Sequence, residues 1–240
     1  MSAHRFLVES ISGDAVTFSA EQSHQMRHVL RLRLGDTVRV FDGVALVDLL
    51  VQLTVDGGVV IGRCEQRAEP RTALTVYPAL LRREKFEPVL QKLTELGACA
   101  IVPMLTSHCV IREAPDVRRM ERWQAIVREA TEQCGRGRLP ELRPAVTFDT
   151  ATAQAEGTVL LAFEGEHQRD LQTALKERPQ TVSLLVGPEG GFSPDEVHQA
   201  GQAGAAVVTL GPRILRAETA AIVAAALVLY ELGDLSSDQP

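Results

Sequence analysis

From Ala73 onward the chain alternates between short β-rich runs and amphipathic helical stretches, and this alternation constrains the fold most strongly. The predicted strands are ALTVYPALL, AIVPMLTSHCVI, ELRPAVTF, TVLLAFE and TVSLLVG. Two predicted helices, FEPVLQKLTELG and VRRMERWQAIVREATEQCG, lie between the earlier strands and carry apolar residues at helical spacing. Strands that alternate with helices form a mostly parallel sheet covered on both faces. The sequence therefore predicts an α/β domain over residues 73–240.

Residues 1–70 have a different pattern of apolar and polar residues. The segments with β-type patterns are FLVES, AVTFS, TVRVFDG, ALVDLLVQL and GVVIGRCE. One helix interrupts them, with Ser19 as its cap and Gln22 three residues on, as in a capping box. The polar segment EQRAEPRTA, residues 65–73, marks the boundary. We expect a small β-barrel or sandwich with one inserted helix.

Composition excludes several classes of protein. A formal net charge of −6 argues against non-specific coating of nucleic acid but allows local basic patches. None of the four cysteines forms a C-x-x-C pair, so we expect no metal site and a reduced, cytoplasmic protein. The longest apolar run, Ala220 to Leu229, is too short to cross a bilayer, and we expect no membrane contact.

Glycine follows three of the predicted strands. The segments are residues 164–166 after LLAF, residues 187–191 after SLLV, and Gly211 after VVTL. Ligands of open parallel sheets bind outside the carboxyl ends of the strands, where glycine allows close approach to the backbone. The pattern contains neither G-x-G-x-x-G nor a phosphate loop, and lysine is absent from residues 186–216. A tight structural turn is the alternative interpretation of GPEGG.

Two helix starts frame this region. Ser193 is a predicted cap, with Pro194 at the first helical position and Glu196 at the third, so FSPDE reads as the start of a helix. Ala217 starts a helix that is apolar nearly all round, which indicates burial or a subunit interface. Glu218 and Thr219 lie in its first turn, where the helix dipole alone would favour a carboxylate.

These two stretches together carry a resemblance. VGPEGGFS-x-x-E followed by LG-x-RILRAETA resembles the ribosomal RNA small subunit methyltransferase E family, of the SPOUT class. RHVLRLRLGD (27–36), LQKLTELGA (90–98) and ERW-x-x-I-x-x-EATEQCGR (121–136) are similar to further blocks of that family. LLRREKFEPV (80–89) and LAFEGEHQ depart from its pattern, which leaves open whether Lys85 or the pair Arg82 and Arg83 supplies a basic group.

The resemblance implies a fold and an activity. It implies a PUA-like β-barrel that binds RNA over residues 1–70 and a trefoil-knotted SPOUT α/β methyltransferase domain over residues 73–240. It also implies a homodimer and the cofactor S-adenosyl-L-methionine. The implied reaction is methylation of N3 of a uridine in the decoding region of 16S rRNA, in the small ribosomal subunit.

The resemblance also implies site residues. The cofactor would contact three loops: Leu161, Phe163, Glu164, Val186, Gly187, Pro188, Glu189, Gly190, Gly191, Leu210, Gly211, Ile214, Leu215, Arg216, Glu218, Thr219 and Ala220. Adenine would rest among the apolar members of the last loop. Because N3 of uridine carries a proton, a base must remove that proton or the site must stabilise the anion, and Glu189 or Glu218 is the base or the orienting group. Arg216 would stabilise the uracil oxygens or a phosphate.

Arginines near the N-terminus are the candidates for RNA binding: Arg5, Arg27, Arg31 and Arg33. Arg27 and Arg31 are four apart and predicted to share a helical face, although a solvated face is the alternative. His24 and His28 also share a face, but no third ligand is nearby. Two rival functions remain at this point: a nucleotide-dependent transferase and a non-catalytic RNA-binding dimer.

Overall fold

The computed structural model describes residues 4–8, 10–65 and 68–236. The chain forms two compact units: unit 1 contains residues 1–69 and 128–139, and unit 2 contains residues 70–127 and 140–240. Part of the predicted boundary segment, residues 66 and 67, lies outside the described residues. The sequence prediction places its domain boundary in the polar segment 65–73.

Unit 1 contains a six-stranded sheet. Its strands are β1 (Arg5–Leu7), β2 (Ile11–Ser12), β3 (Ala15–Val16), β4 (Thr37–Phe41), β5 (Val47–Thr54) and β6 (Gly57–Glu65). They lie in the order β1-β4-β5-β6-β3-β2, and every pair is antiparallel except β1 with β4. Alternate residues of β4, Val38 and Val40, are fully buried, as the period of two along a half-buried strand requires.

The inserted helix of unit 1 is short. Helix α1 (Ala20–His24) continues into a π-helical segment (Gln25–Val29). Ser19 caps α1, and its hydroxyl and the Gln22 side chain form the predicted capping box. The helix therefore begins where the sequence indicates, but it ends at Val29 instead of continuing through Arg31.

The segment 128–139 belongs to unit 1, whereas the sequence places it in the second domain. Oε1 of Glu132 accepts a hydrogen bond from the backbone N–H of Leu7 at 2.8 Å. Arg136 pairs with Glu69 at 2.9 Å, and both side chains are largely buried. These contacts join residues more than sixty positions apart, and the local hydrophobic pattern of a sequence carries no information on such contacts.

Unit 2 alternates strands and helices as predicted. Its elements are β7 (Ala73–Pro78), α2 (Arg83–Leu96), β8 (Ala100–Ile101), β9 (Met104–Leu105), α3 (Val117–Cys134, of which unit 2 contains the part to Val127), β10 (Glu141–Leu142), β11 (Val146–Thr147), α4 (Phe148–Gln154), β12 (Thr158–Ala162), α5 (Leu171–Ala174), β13 (Thr181–Val186), α6 (Pro194–Gln202), β14 (Ala206–Val208) and α7 (Ala217–Glu231). The main sheet is parallel throughout, in the order β10-β8-β7-β13-β12-β14, and β9 pairs separately with β11.

Both faces of this sheet are covered. Leu160 and Leu184 belong to one buried cluster, and their neighbours Leu161 and Leu185 belong to another. Adjacent residues of a strand point to opposite faces, so β12 and β13 are buried on both sides. Gly97, with φ of +114°, ends α2 in a left-handed cap as predicted. Among the described residues, no helix combines the length and the apolarity needed to span a membrane.

Candidate functional site

Three neighbouring strands of unit 2 end at one cavity. β13, β12 and β14 are adjacent and parallel, so their carboxyl ends meet at the same edge of the sheet. The cavity there has a volume of about 510 Å³. Predicted site residues that line it are Phe163, Glu164, Val186, Gly187, Pro188, Glu189, Gly191, Leu210, Gly211, Ile214, Leu215, Arg216 and Ala220. The structure thus brings together the three glycine-containing strand ends.

Glycine is required at one position of the lining for two reasons. Gly191 has φ of +68°, in the left-handed region that side chains other than glycine rarely adopt. A Cβ added there would also collide with the carboxylate of Glu164. Gly187 has no such backbone strain, but an added Cβ would lie 3.2 Å from the Phe192 ring. GPEGG is therefore a closely packed loop that forms part of the cavity wall, and not a solvent-exposed connecting turn.

Four predicted cofactor residues do not line the cavity. Leu161 is fully buried in the core cluster with Tyr77 and Leu185, because strand alternation turns its side chain away and presents Ala162 instead. The carbonyl of Gly190 is engaged by the ring of His108 at 3.0 Å. Glu218 and Thr219 occupy the first turn of α7 beside the cavity, as their helix-start pattern predicts.

Lys85 is the principal residue that sequence reasoning left undecided. It lines the cavity, and its Nζ lies 3.0 Å from Oε1 of Glu189 and 3.8 Å from Oε2 of Glu218. Oε2 of Glu218 is buried and accepts no hydrogen bond from any described residue. The sequence carried no signal for this contact, because it depends on β7 being the neighbour of β13, which brings the segment after β7 close to the segment after β13. Further lining residues that the sequence did not single out are Ala162, His167, Thr209, Pro212, Arg213 and Ala217.

The lining limits the chemistry that the cavity can perform. Within the described part of the chain, the cavity presents no cysteine or serine, and no group of three metal-ligating side chains exists. The one hydroxyl among the described lining residues, that of Thr209, forms hydrogen bonds with Gly211. The other polar side chains of the lining are carboxylates, the cations of Lys85, Arg213 and Arg216, and the imidazole of His167. Such a site acts by positioning, by proton transfer and by electrostatic stabilisation.

Arg5 differs from the other predicted RNA-binding arginines because its side chain is buried. Its guanidinium forms two 2.8 Å hydrogen bonds to Asp48 and lies 3.6 Å from the centre of the Phe41 ring. The two charged side chains are 7% and 2% exposed. The guanidinium is therefore already occupied by a carboxylate, and the sequence contains no sign of this pair because Asp48 lies 43 positions away, on β5 of the same sheet.

The other three arginines predicted to bind RNA, Arg27, Arg31 and Arg33, are exposed. Arg31 follows the helix with φ of +56°, so the predicted helical face shared with Arg27 does not exist. Arg27 and Arg33 instead line a groove of about 660 Å³ whose walls include Met26 and Leu32. The rings of His24 and His28 lie 4.6 Å apart, without the third ligand that a metal site would need among the described residues.

Comparison with known proteins identifies the family. Residues 68–229 match the RNA methyltransferase domain family. Ribosomal RNA small subunit methyltransferase E of Synechocystis sp. is 34% identical over 235 residues, which cover 94% of this chain and 77% of that protein. The chain belongs to the ribosomal RNA small subunit methyltransferase E family. The resemblance carried by GPEGG and RILRAET is thereby confirmed.

Further members of the methyltransferase E family support this assignment. The protein of this name from Rickettsia conorii is 32% identical, and the match covers 85% of each chain. The crystal structure of the Neisseria gonorrhoeae protein, bound to S-adenosyl methionine, matches with a TM-score of 0.89 and 28% identity over 98% of this chain and all of that one. A putative methyltransferase from Legionella pneumophila, in complex with the same cofactor, has a TM-score of 0.81 and 26% identity, and the match covers 96% of this chain and 98% of that one. The α/β methyltransferase fold is therefore established.

Proposed function

We propose that this protein uses S-adenosyl-L-methionine to methylate N3 of a uridine in the decoding region of 16S rRNA, within the small ribosomal subunit. The observation that carries the proposal is the cavity at three parallel strand ends, lined by the glycine loop 187–191, in a chain of the methyltransferase E family. Two relatives of known structure that match over nearly the whole chain, those from Legionella pneumophila and Neisseria gonorrhoeae, hold this cofactor.

The residues present fit S-adenosylmethionine. A volume of about 510 Å³ lies within the range of roughly 300–1,000 Å³ that is usual for small-molecule sites. Leu210, Ile214, Leu215 and Ala220 provide an apolar wall for adenine. Glu164 also lines the cavity, and its carboxylate oxygens are suitable acceptors for ribose hydroxyls. Gly187 and Gly191 leave room for the methionine part.

The protein's own part in the reaction is to move one proton and to stabilise charge. When bound, S-adenosylmethionine supplies a methyl group on a positively charged sulfur. Oε2 of Glu218 accepts no hydrogen bond from the described part of the chain, so this oxygen can accept the N3 proton of uridine. Glu189, held by Lys85 at 3.0 Å, is then the orienting group. Arg216, at the start of α7, stabilises the uracil oxygens as negative charge develops on them.

Residues 1–70 are proposed to form a PUA-like β-barrel that binds RNA phosphates through Arg27, Arg31 and Arg33. Residues 73–240, which include most of unit 2, are proposed to form the trefoil-knotted SPOUT domain. Its helix α7 presents Tyr230 with 66% of the residue exposed, next to otherwise apolar turns, and this face supports the proposal of a homodimer. Action on the ribosome places the protein in the cytoplasm.

Thermal unfolding with three ligands tests the cofactor. S-adenosylmethionine and S-adenosylhomocysteine should each raise Tm at concentrations well above Kd, and ATP should not. Stabilisation by ATP alone would favour the nucleotide-dependent transferase. If none of the three ligands raises Tm, the non-catalytic RNA-binding dimer becomes the better account.

A further inference from the structure

A loop between β9 and α3 holds the glycine loop from outside the cavity. Nδ1 of His108 lies 3.0 Å from the carbonyl oxygen of Gly190 and 3.2 Å from that of Gly191. Both carbonyls can only accept hydrogen bonds, so Nδ1 must carry the hydrogen and donate it. The packing is tight, since a Cβ on Gly190 would lie 3.0 Å from Cβ of His108.

The loop that carries His108 is itself anchored to helix α6. Oε1 of Glu196 accepts from the backbone N–H of Ser107 at 2.8 Å, and Oε2 accepts from the Ser107 hydroxyl at 3.0 Å. Oε2 also accepts from the backbone N–H of Ser193 at 2.8 Å, which is the capping contact. Glu196 is only 8% exposed, whereas a glutamate that served only to cap a surface helix could remain in solvent. The side chain therefore ties the start of α6 to the Ser107 segment.

The anchoring loop has internal contacts of its own. The backbone N–H of Thr106 donates to Sγ of the buried Cys109 at 3.3 Å. Nη1 of Arg112 donates to the carbonyl of Ser107 at 2.6 Å. His108 is thus presented from a constrained turn, at a fixed position relative to the two glycine carbonyls.

We propose that His108 is a positioning residue, held by Ser107 and Glu196, which pre-organises Gly190 and Gly191 for S-adenosylmethionine. The inference rests on the proposed function. Glycine loses more backbone freedom on ordering than any other residue, so a loop with three glycines has a large entropic cost when a ligand orders it. A bifurcated hydrogen bond from the single Nδ1–H of a constrained ring to both carbonyls removes part of that cost before binding, and affinity rises accordingly. His108 itself does not line the cavity, so it acts through the loop.

Three single substitutions test the role. His108→Leu removes the donor, whereas His108→Asn keeps an N–H donor in place of Nδ1. His198→Leu is the control. His198 is exposed on α6, and its ring forms a hydrogen bond with Gln202 of the same helix. The full-length protein is measured by calorimetric titration with S-adenosylmethionine and by steady-state kinetics on small subunits.

We expect His108→Leu to raise Kd and KM for S-adenosylmethionine about tenfold, the size of effect that loss of a hydrogen bond or two produces. The kcat at saturating cofactor should stay within about threefold, since the reacting groups are intact. His108→Asn and His198→Leu should bind within about threefold of the unmodified protein.

Two results would overturn the inference while leaving the proposed function intact. One is cofactor binding by His108→Leu that matches the unmodified protein. The other is an equal loss in His108→Leu and His108→Asn, which would mean that ring shape matters and donation does not. If the unmodified protein fails to bind S-adenosylmethionine, the proposed function falls, and this inference falls with it.

Discussion

The ammonium of Lys85 lies 3.0 Å from Oε1 of Glu189, although 104 positions separate the two residues. The sequence segments that contain them follow β7 and β13, which are neighbours in the sheet. Glu218, from a third segment, has its Oε2 at 3.8 Å from the same ammonium. The Lys85 ammonium is therefore close to both carboxylates at the edge of the proposed cofactor cavity. Substitution of each of the three residues in turn tests what this arrangement contributes.

Removal of this cation should slow the reaction. Lys85→Met should lower kcat roughly ten- to a hundredfold, because a charge-assisted hydrogen bond is lost and the two carboxylates are left to repel each other. Lys85→Arg should retain most of the activity. Lys92→Met is the matched control, since Lys92 pairs with Glu95 on the same helix. A Lys85→Met enzyme with normal kcat would show that the contact is incidental.

Loss of the Glu218 carboxylate should lower kcat more than loss of the Glu189 carboxylate. Glu218→Gln removes the proposed proton acceptor and should lower kcat about a hundredfold or more, the usual contribution of a general base. Glu189→Gln should cost less and should leave the pH dependence of kcat unchanged. Single-turnover rates from pH 6 to pH 9 measure both variants. The opposite order would transfer the proton-accepting role from Glu218 to Glu189.

The N-terminal arginines should separate into two classes. Arg5→Met should lower the free energy of unfolding of unit 1 by about 3 kcal/mol, because it removes two short charge-assisted hydrogen bonds from a buried carboxylate, that of Asp48. Arg27→Met should leave stability nearly unchanged and should weaken RNA binding, with a smaller salt dependence. Hydrogen exchange of the β4 and β5 amides and filter binding at several salt concentrations provide the two measurements. Equal stability of both variants would contradict the structural role of Arg5.

Glu132 makes the folding stability of unit 1 depend on pH. Burial raises the pKa of this carboxyl above its ordinary value of 4.5, and the hydrogen bond from Leu7 N–H and the charges of Arg128 and Arg5 offset that effect only in part. As pH rises from 4.5 through the raised pKa, the unfolded chain loses its proton first, so folding stability falls across this window.

Glu132→Gln cannot ionise and keeps an acceptor for Leu7 N–H. The variant should therefore have a higher Tm than the unmodified protein at pH 8, and the difference should shrink towards pH 4.5. Matched calorimetric scans across this range measure it. A variant that is less stable at pH 8 would show that the ionised carboxylate is favourable in this site.

Local signals predicted local structure well. The capping boxes at Ser19 and Ser193 and the left-handed cap at Gly97 depend on residues within a few positions of one another. The strand-end glycines were also informative, since the carboxyl ends of parallel strands must lie on one edge. Long-range contacts were not predictable. The partners of Arg5 and Lys85, and the second contact of Glu196, depend on which strands become neighbours.

The most direct test of the account is methylation of small ribosomal subunits purified from a strain that lacks the enzyme. Subunits are incubated with the purified protein and S-adenosylmethionine carrying a labelled methyl group, and the nucleosides of the 16S rRNA are identified by mass spectrometry. The account predicts one labelled product, N3-methyluridine, located in a decoding-region fragment, with its yield reduced in Glu218→Gln. A label on another atom or another base, or no transfer to subunits from an enzyme that binds the cofactor, would contradict it.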